Sequence, residues 1–402
     1  MKRYVLVGAG ARARGMFARP FAEELTGRVQ LVGVYDANRI RSRLLNDDYG
    51  PFPVYEGFGQ MLQQAAPDAV IVASSDDTHH DFIVQALEAG CDVVSEKPMT
   101  IDSDKCKAIR EAEARTGRRV TVTFNLRFVP YLARVRQLLM ENVIGQVQHV
   151  SLDWRLDRRH GADYFRRWHA RMERSGGLLV HKATHHFDLI NWWLDSRPET
   201  VQAFGRLAFY GPNREVREER CLTCSHRTSC ELYYDLHGDA DNRRLYLEAE
   251  REDGYIRDRC VFGEHIDIYD TMTVHVRYDN GTLLDYSLVA YSPDEGWKAT
   301  LTGTHGRMEI GEVYSGPLAQ SDVQNILITL TSGEQIVHRV PSVRHGHGGG
   351  DERLRRMIFL GDLPDPLGQQ AGSEAGAYSL LIGAAANLSI AGGGPVSISD
   401  LL

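Results

Sequence analysis

Lys97 lies in Glu96-Lys97-Pro98, directly after the apolar run Asp92-Val93-Val94-Ser95. A lysine at the exit of a buried strand can present a positive donor to an oxygen that gains negative charge, and partial burial there lowers its pKa. Alone, the tripeptide reads more readily as a solvated turn ahead of a helix-starting proline. A second group is His181, His185 and Asp188, spaced i, i+4, i+7 and therefore on one face of a helix. Three readings fit that spacing: metal ligands, satisfied core histidines, or an acid/base pair. Lys182 occupies the place of the glutamate in a zinc-protease helix, and its charge disfavours a cation nearby. A third group is Cys221-Leu222-Thr223-Cys224, with Cys230 after five intervening residues and Cys260 downstream. Such thiols can close tetrahedrally on a structural zinc, with an iron–sulfur cluster or unliganded thiols as the alternatives and His226 as a substitute ligand. Cys91 and Cys106 read as small core residues.

The elements that must position these groups alternate strand and helix. An apolar strand to Val7 runs into Gly8-Ala9-Gly10-Ala11-Arg12-Ala13 and a helix beginning near Ala11. The first glycine permits a tight turn, the second lets backbone N–H groups approach a pyrophosphate, and Ala13 is small enough for close helix–strand packing. The strand Val29 to Tyr35 ends at Asp36, 23 residues after Ala13, a carboxylate suited to ribose hydroxyls and hostile to a 2′-phosphate. NAD is therefore expected, with Arg39, Arg41 and Arg43 leaving NADP open. Further strands, Asp68 to Ala73, Asp92 to Ser95 and Arg119 to Phe124, deliver Ser74, Ser75 and His79, then Glu96 and Lys97, then Asn125 and Arg127 to one sheet edge. In an open parallel sheet that edge forms the ligand crevice.

Composition narrows the function classes. The 402 residues suffice for two domains, and a net charge of −8 argues against a nucleic-acid partner. The chain opens straight into a strand, with no apolar signal core and no run read as long enough to span a bilayer, so a cytoplasmic protein without a membrane partner is expected.

Together, Gly8-Ala9-Gly10 with Asp36, the Ser74 to His79 loop, Glu96-Lys97-Pro98 and the stretch Gly176 to Asp188 resemble the Gfo/Idh/MocA oxidoreductases, relatives of glucose-fructose oxidoreductase and inositol dehydrogenase. The resemblance covers nearly the whole chain. It implies an α/β Rossmann domain (1–125) followed by an α+β substrate-binding and oligomerisation domain (126–402) with an open-faced, mainly antiparallel sheet, and NAD(P)-dependent chemistry at a carbinol carbon of a sugar, glycoside or cyclitol. His185 matches the family's acid/base histidine, while His181 stands where many members carry aspartate. A neutral imidazole still binds a hydroxyl but supplies no fixed negative charge, and Asp188 is the carboxylate left to orient His185. The cofactor residues implied are Gly8, Gly10, Ala11, Arg12, Asp36, Ser74, Ser75, His79, Glu96, Lys97 and Asn125.

Between Arg155 and Arg174, arginines interleave with aromatic rings, and Tyr164, Arg167 and Trp168, with Arg127, His181 and His185, form the expected carbohydrate-contacting set. The competing reading of that segment is a solvated, charge-rich loop. Residues 212–264 form a cysteine-bearing insertion. His345 to Asp351 is a glycine-rich loop, and Ala371 to Ala391 reads as an amphipathic packing helix. An open sheet face implies a homo-oligomer, dimer or tetramer. Two other functions share these features: a glycoside hydrolase or lyase that oxidises its substrate transiently with retained NAD, and a non-catalytic NAD-binding sensor.

Overall fold

A computed structural model describes residues 1–316, 319 and 322–402. Strands β1 (Lys2–Val7), β2 (Val29–Tyr35), β3 (Ala69–Val72), β4 (Asp92–Ser95) and β5 (Val120–Val122) run parallel in the order β5-β4-β3-β1-β2. Helices cover both faces, so all four residues of β3 are fully buried and its sequence needs no polar alternation. Helix Ser103–Thr116 shows how local signals fix the ends: the Asp102 side chain accepts from the Lys105 N–H, and Gly117 closes the helix in the left-handed region. Glu96-Lys97-Pro98 is a bend rather than a helix start, with a cis Lys97–Pro98 peptide.

The second sheet contains β6 (Val147–Asp157), β7 (Pro198–Arg206), β8 (Thr271–Tyr278), β9 (Leu283–Ser292), β10 (Gly296–Gly303), β11 (Gly306–Val313), β12 (Val323–Leu330) and β13 (Gln335–Pro341). Past β14 (Ala371–Gly372), which joins the first sheet beside β5, the two-residue β15 (Val396–Ser397) completes it beside β7. Its order is β13-β12-β11-β10-β6-β9-β8-β7-β15, and every pairing is antiparallel except β6 with β9. Period-two alternation sends Val150, Leu152, Trp154 and Leu156 of β6 to a buried face packed by helices. The other face exposes Thr273, His275, Arg277 and Asp285, with Phe204 beside Thr273. The fold class is the one the sequence implies.

Helix Ser373–Gly392 differs from expectation. It is not amphipathic: Ser379 to Gly383 are buried without interruption, and exposure is confined to its ends, at Glu374 and from Leu388 onward. Its length and apolarity would suffice to cross a membrane, yet more than half of it is buried inside this fold. Small residues allow this, since a side chain at Gly383 would meet the Leu179 carbonyl at 2.3 Å and one at Gly376 would press on Met99 and Val122. The helix thereby wedges between the first sheet and the histidine-bearing segment.

The cysteine insertion requires a correction. Among the described residues no three His, Cys, Asp or Glu side chains are gathered as metal ligands, so Cys221, Cys224, Cys230 and Cys260 do not build the expected zinc or iron–sulfur site. Burial raises the Cys221 thiol above its usual range, and its sulfur accepts from Arg166 at 3.6 Å. Closure comes from charge pairs. Arg220 binds Glu250 at 2.7 Å and Asp258 at 2.6 Å, and the fully buried Asp258 carboxylate also accepts from the Leu222 N–H at 2.7 Å. Asp258→Ala should therefore cost about 1–3 kcal/mol in urea unfolding, because it leaves the Leu222 N–H unpaired and Arg220 with Glu250 alone, while a chelator should leave wild-type unfolding unchanged.

Candidate active site

The carboxyl ends of the parallel strands and the helix-covered side of the second sheet face each other across one cleft of about 1760 Å³. That exceeds the roughly 300–1,000 Å³ of a drug-sized site and leaves room for a dinucleotide and a second ligand.

The nucleotide half is built on the turn after β1. Gly8 has φ +98°, and a side chain there would meet the Ala73 carbonyl at 2.4 Å, so only glycine brings β1 and β3 this close. Gly10 precedes Ala11 in extended conformation, no side chain caps the helix that follows, and space beside Gly10 is open. The first-turn N–H groups thus face the cleft as anion donors. Asp36 accepts from the Ala9 and Asn38 N–H groups, both at 2.7 Å, which locks its carboxylate at the end of β2.

Ser74, Ser75 and His79 line the cleft, but His79 is almost fully buried and its ring nitrogens lie 2.9 Å from the Pro98 carbonyl and 3.2 Å from the Ser74 carbonyl. It ties the β3 and β4 loops together. Glu96 receives Arg12 at 2.8 Å. Arg12 also reaches Asp351 at 3.3 Å, and Asp351 accepts from Asn125 at 2.7 Å and bonds His347 Nδ1 at 2.7 Å. Burial opposes the Asp351 charge, yet the His347 bond and the Arg12 guanidinium hold its carboxyl well below the usual range. Asp351 is thus the hub of the cofactor-side network, a role the sequence did not disclose because its partners are 226 and 339 residues away.

Lys97 projects into the cleft and donates to the His181 carbonyl at 3.0 Å. Burial pushes its amine down to about 8. His181 and His185 also line the cleft, on two short helices, Leu178–His181 and Thr184–Leu194, rather than on one. His181 Nδ1 lies 2.5 Å from Asp76 Oδ2, which returns a carboxyl group to the site from the opposite domain. Burial raises Asp76 well above the usual carboxylate range and lowers His181 well below the usual imidazole range. Burial disfavours the charged form of each, while the Lys97 charge pulls Asp76 back toward its carboxylate. His185 is held neutral by burial and then by the charges of Lys97 and Lys182, and its Nδ1 has no hydrogen-bond partner.

Two expectations fail here. Asp188 does not orient His185: it is buried in a bidentate pair with Arg127, at 2.6 and 2.8 Å. Arg127 is consequently unavailable to substrate. It donates to the Gly368 carbonyl, stacks on Trp192 and lies outside the cleft lining. Tyr164, Arg167 and Trp168 do line the cleft, on helix Arg158–Arg166 and the turn after it, so this segment is not a solvated loop. Arg167 is fixed by Asp163 at 3.0 Å. Trp154 stacks on His186 at 3.7 Å between centroids and lies under the Lys182 ammonium, giving the substrate half an aromatic wall that strand periodicity alone did not single out.

Residues 2–124 match the family described as "Oxidoreductase family, NAD-binding Rossmann fold", and residues 136–398 match its "C-terminal alpha/beta domain". The chain belongs to the Gfo/Idh/MocA oxidoreductases. YteT of Bacillus subtilis (strain 168) is 37% identical over 100% of this chain and 99% of its own length. The Gfo/Idh/MocA relative inositol 2-dehydrogenase of Rhizobium meliloti (strain 1021) is 28% identical over 50% of this chain and 57% of its own length. The crystal structure of the WlbA dehydrogenase from Bordetella pertussis with NADH and UDP-GlcNAcA has a TM-score of 0.67 at 19% identity, covering 98% of both chains. Neither curated relative is named as a hydrolase or lyase, so the bond-cleaving alternative finds no support in them. The uncapped helix start, the glycine turn and Asp36 fit an NAD dinucleotide, as the family's NAD-binding domain requires.

The position of Lys97 sets a measurable property. Its amine should titrate near pH 8, seen by NMR of the reductively methylated protein with Lys97→Arg identifying the signal; titration near 10.5, the value of an ordinary lysine, would show that the site is not closed as described.

Proposed function

We propose that this oxidoreductase interconverts a secondary alcohol and a ketone on a sugar, glycoside or cyclitol, with Lys97 and His185 as its catalytic residues. The observation that supports this reading is the meeting of Lys97, His181 and His185 in a cleft continuous with the nucleotide crevice. Bound nicotinamide supplies the hydride acceptor or donor. Lys97, protonated, donates to the carbinol oxygen as it gains negative charge. His185, neutral, takes the hydroxyl proton in oxidation and returns it in reduction. The His181 imidazole, held through Nδ1 by Asp76, binds a neighbouring hydroxyl, which suits a polyol with adjacent oxygens. Tyr164, Trp168 and Trp154 supply apolar ring faces, and Arg167 a fixed guanidinium fork, for the rest of the sugar.

NADH formation across a panel of inositols, glycosides and nucleotide sugars tests the reading; tight NAD binding without turnover of any member would overturn it. With an active substrate, Lys97→Met should lower kcat/KM about 10²–10³-fold and His185→Ala about 10²–10⁴-fold. The donor role is filled while Lys97 is protonated, below about 8, and is lost above it, so kcat should fall as pH rises through that value. A wild-type rate that keeps climbing to pH 10 would remove Lys97 from this role.

A further inference from the structure

The insertion packs where the dinucleotide's adenosine end belongs. Leu236, Leu245 and Tyr246 form a small core that takes in Leu44 of helix Arg39–Tyr49, the helix that follows Asp36. At the helix start, the buried Asn38 Nδ2 donates to the Ala249 carbonyl at 2.9 Å. Arg41 is wholly engaged by the insertion. Its Nε donates to the Leu245 carbonyl at 3.0 Å, its Nη1 donates to Asp253 at 2.7 Å, and its guanidinium lies over the rings of Tyr246 and Tyr255. Arg39 is drawn aside in the same way, to Glu252 at 3.1 Å.

We infer that the insertion is part of the cofactor site, and that Asp253, acting with Asp36, selects NAD over NADP at the adenosine 2′ position. Asp36, Arg41, Asp253 and Tyr255 line the same end of the cleft. Arginines in the turn after β2 are the natural partners of a 2′-phosphate. Here the insertion gives the two nearest ones carboxylates of its own and adds a second negative charge beside Asp36. The closeness of the two acids has an independent sign: burial chiefly raises the Asp36 pKa, and the Asp253 charge adds to that rise. A phosphate entering this corner would have to displace Asp253 from Arg41 and then sit between two carboxylates. A ribose hydroxyl needs neither, because it donates to Asp36 and leaves the Arg41 pair intact.

The inference does not depend on the substrate reading, since its test is binding alone. Dissociation constants for NAD and NADP are measured by titration calorimetry on the full chain for wild type, Asp253→Ala, Arg41→Ala and the double variant, with thermal melts confirming the fold. Wild type should prefer NAD by about a hundredfold or more. Asp253→Ala should narrow that preference about tenfold or more, mainly through tighter NADP binding, as expected for removal of one nearby charge. Adding Arg41→Ala should abolish the gain, because the freed guanidinium is what captures the phosphate. Should Asp253→Ala fail to fold, Asp253→Asn removes the charge while keeping the shape, and the same narrowing is expected. A preference within twofold of wild type in the folded variant overturns the inference, as does wild type that prefers NADP. NAD selectivity lost on mutation, but without turnover of any sugar, would overturn only the proposed function.

Discussion

One residue joins the two halves of the site. Asp76, after β3, hydrogen bonds the His181 side chain, and Lys97, after β4, donates to the His181 backbone. Both partners belong to the first sheet, whereas His181 precedes the helices that pack the second. The distances tolerate little error, since hydrogen bonds weaken steeply with misalignment. Everything that sets the relative position of the sheets therefore bears on whether Lys97 and the imidazoles share one oxygen's surroundings. Helix Ser373–Gly392 and the Arg127–Asp188 pair are the stiff parts of that frame: the first fills the space between the sheets with small-residue contacts, and the second ties the exit of β5 to the helix carrying His185.

That frame also explains why cations and imidazoles can be concentrated here without a matching set of carboxylates. A buried charge is costly unless paired, and a titratable group can instead become neutral. Around Lys97 the second route dominates: His181 and His185 are driven toward their neutral forms, and the Lys97 amine is brought near physiological pH. On the cofactor side the first route dominates, with Arg12 shared between Glu96 and Asp351. The cleft is thus divided into a reactive half of easily titrated groups and a binding half of fixed ion pairs. Proton transfer benefits from the former, and cofactor orientation from the latter.

The parallel sheet was legible in the sequence because its signals are local. Apolar runs, a glycine turn and terminal polar residues located β2 and β4 and the crevice they open on. The same holds for Ser103 to Thr116, where cap and glycine are both in the chain. What could not be read depends on long-range partners. Asp188 looked like the orienting acid for His185 because of its spacing, but a buried guanidinium from 61 residues away claims it. Spacing also suggested a single helix from His181 onward, whereas the chain breaks at Lys182 and Ala183 and turns the two imidazoles separately. The cysteines had metal-like spacing, yet their segment is closed by arginine–carboxylate pairs whose members are scattered from Arg220 to Asp258.

With histidine at position 181, the carboxyl group that meets this side chain comes from Asp76 of the first domain. The carboxyl group sits one hydrogen bond out from the imidazole, where burial raises its pKa well above the usual carboxylate range and the Lys97 charge pulls it back. Burial dominates the fall of the Lys97 amine to about 8, and the Asp76 carboxylate nearby opposes that fall. An ammonium of that acidity is a stronger hydrogen-bond donor to an oxyanion than an ordinary lysine, and it is also nearer to giving up its proton. In the proposed reaction, sensitivity to pH just above neutrality thus lies with the lysine.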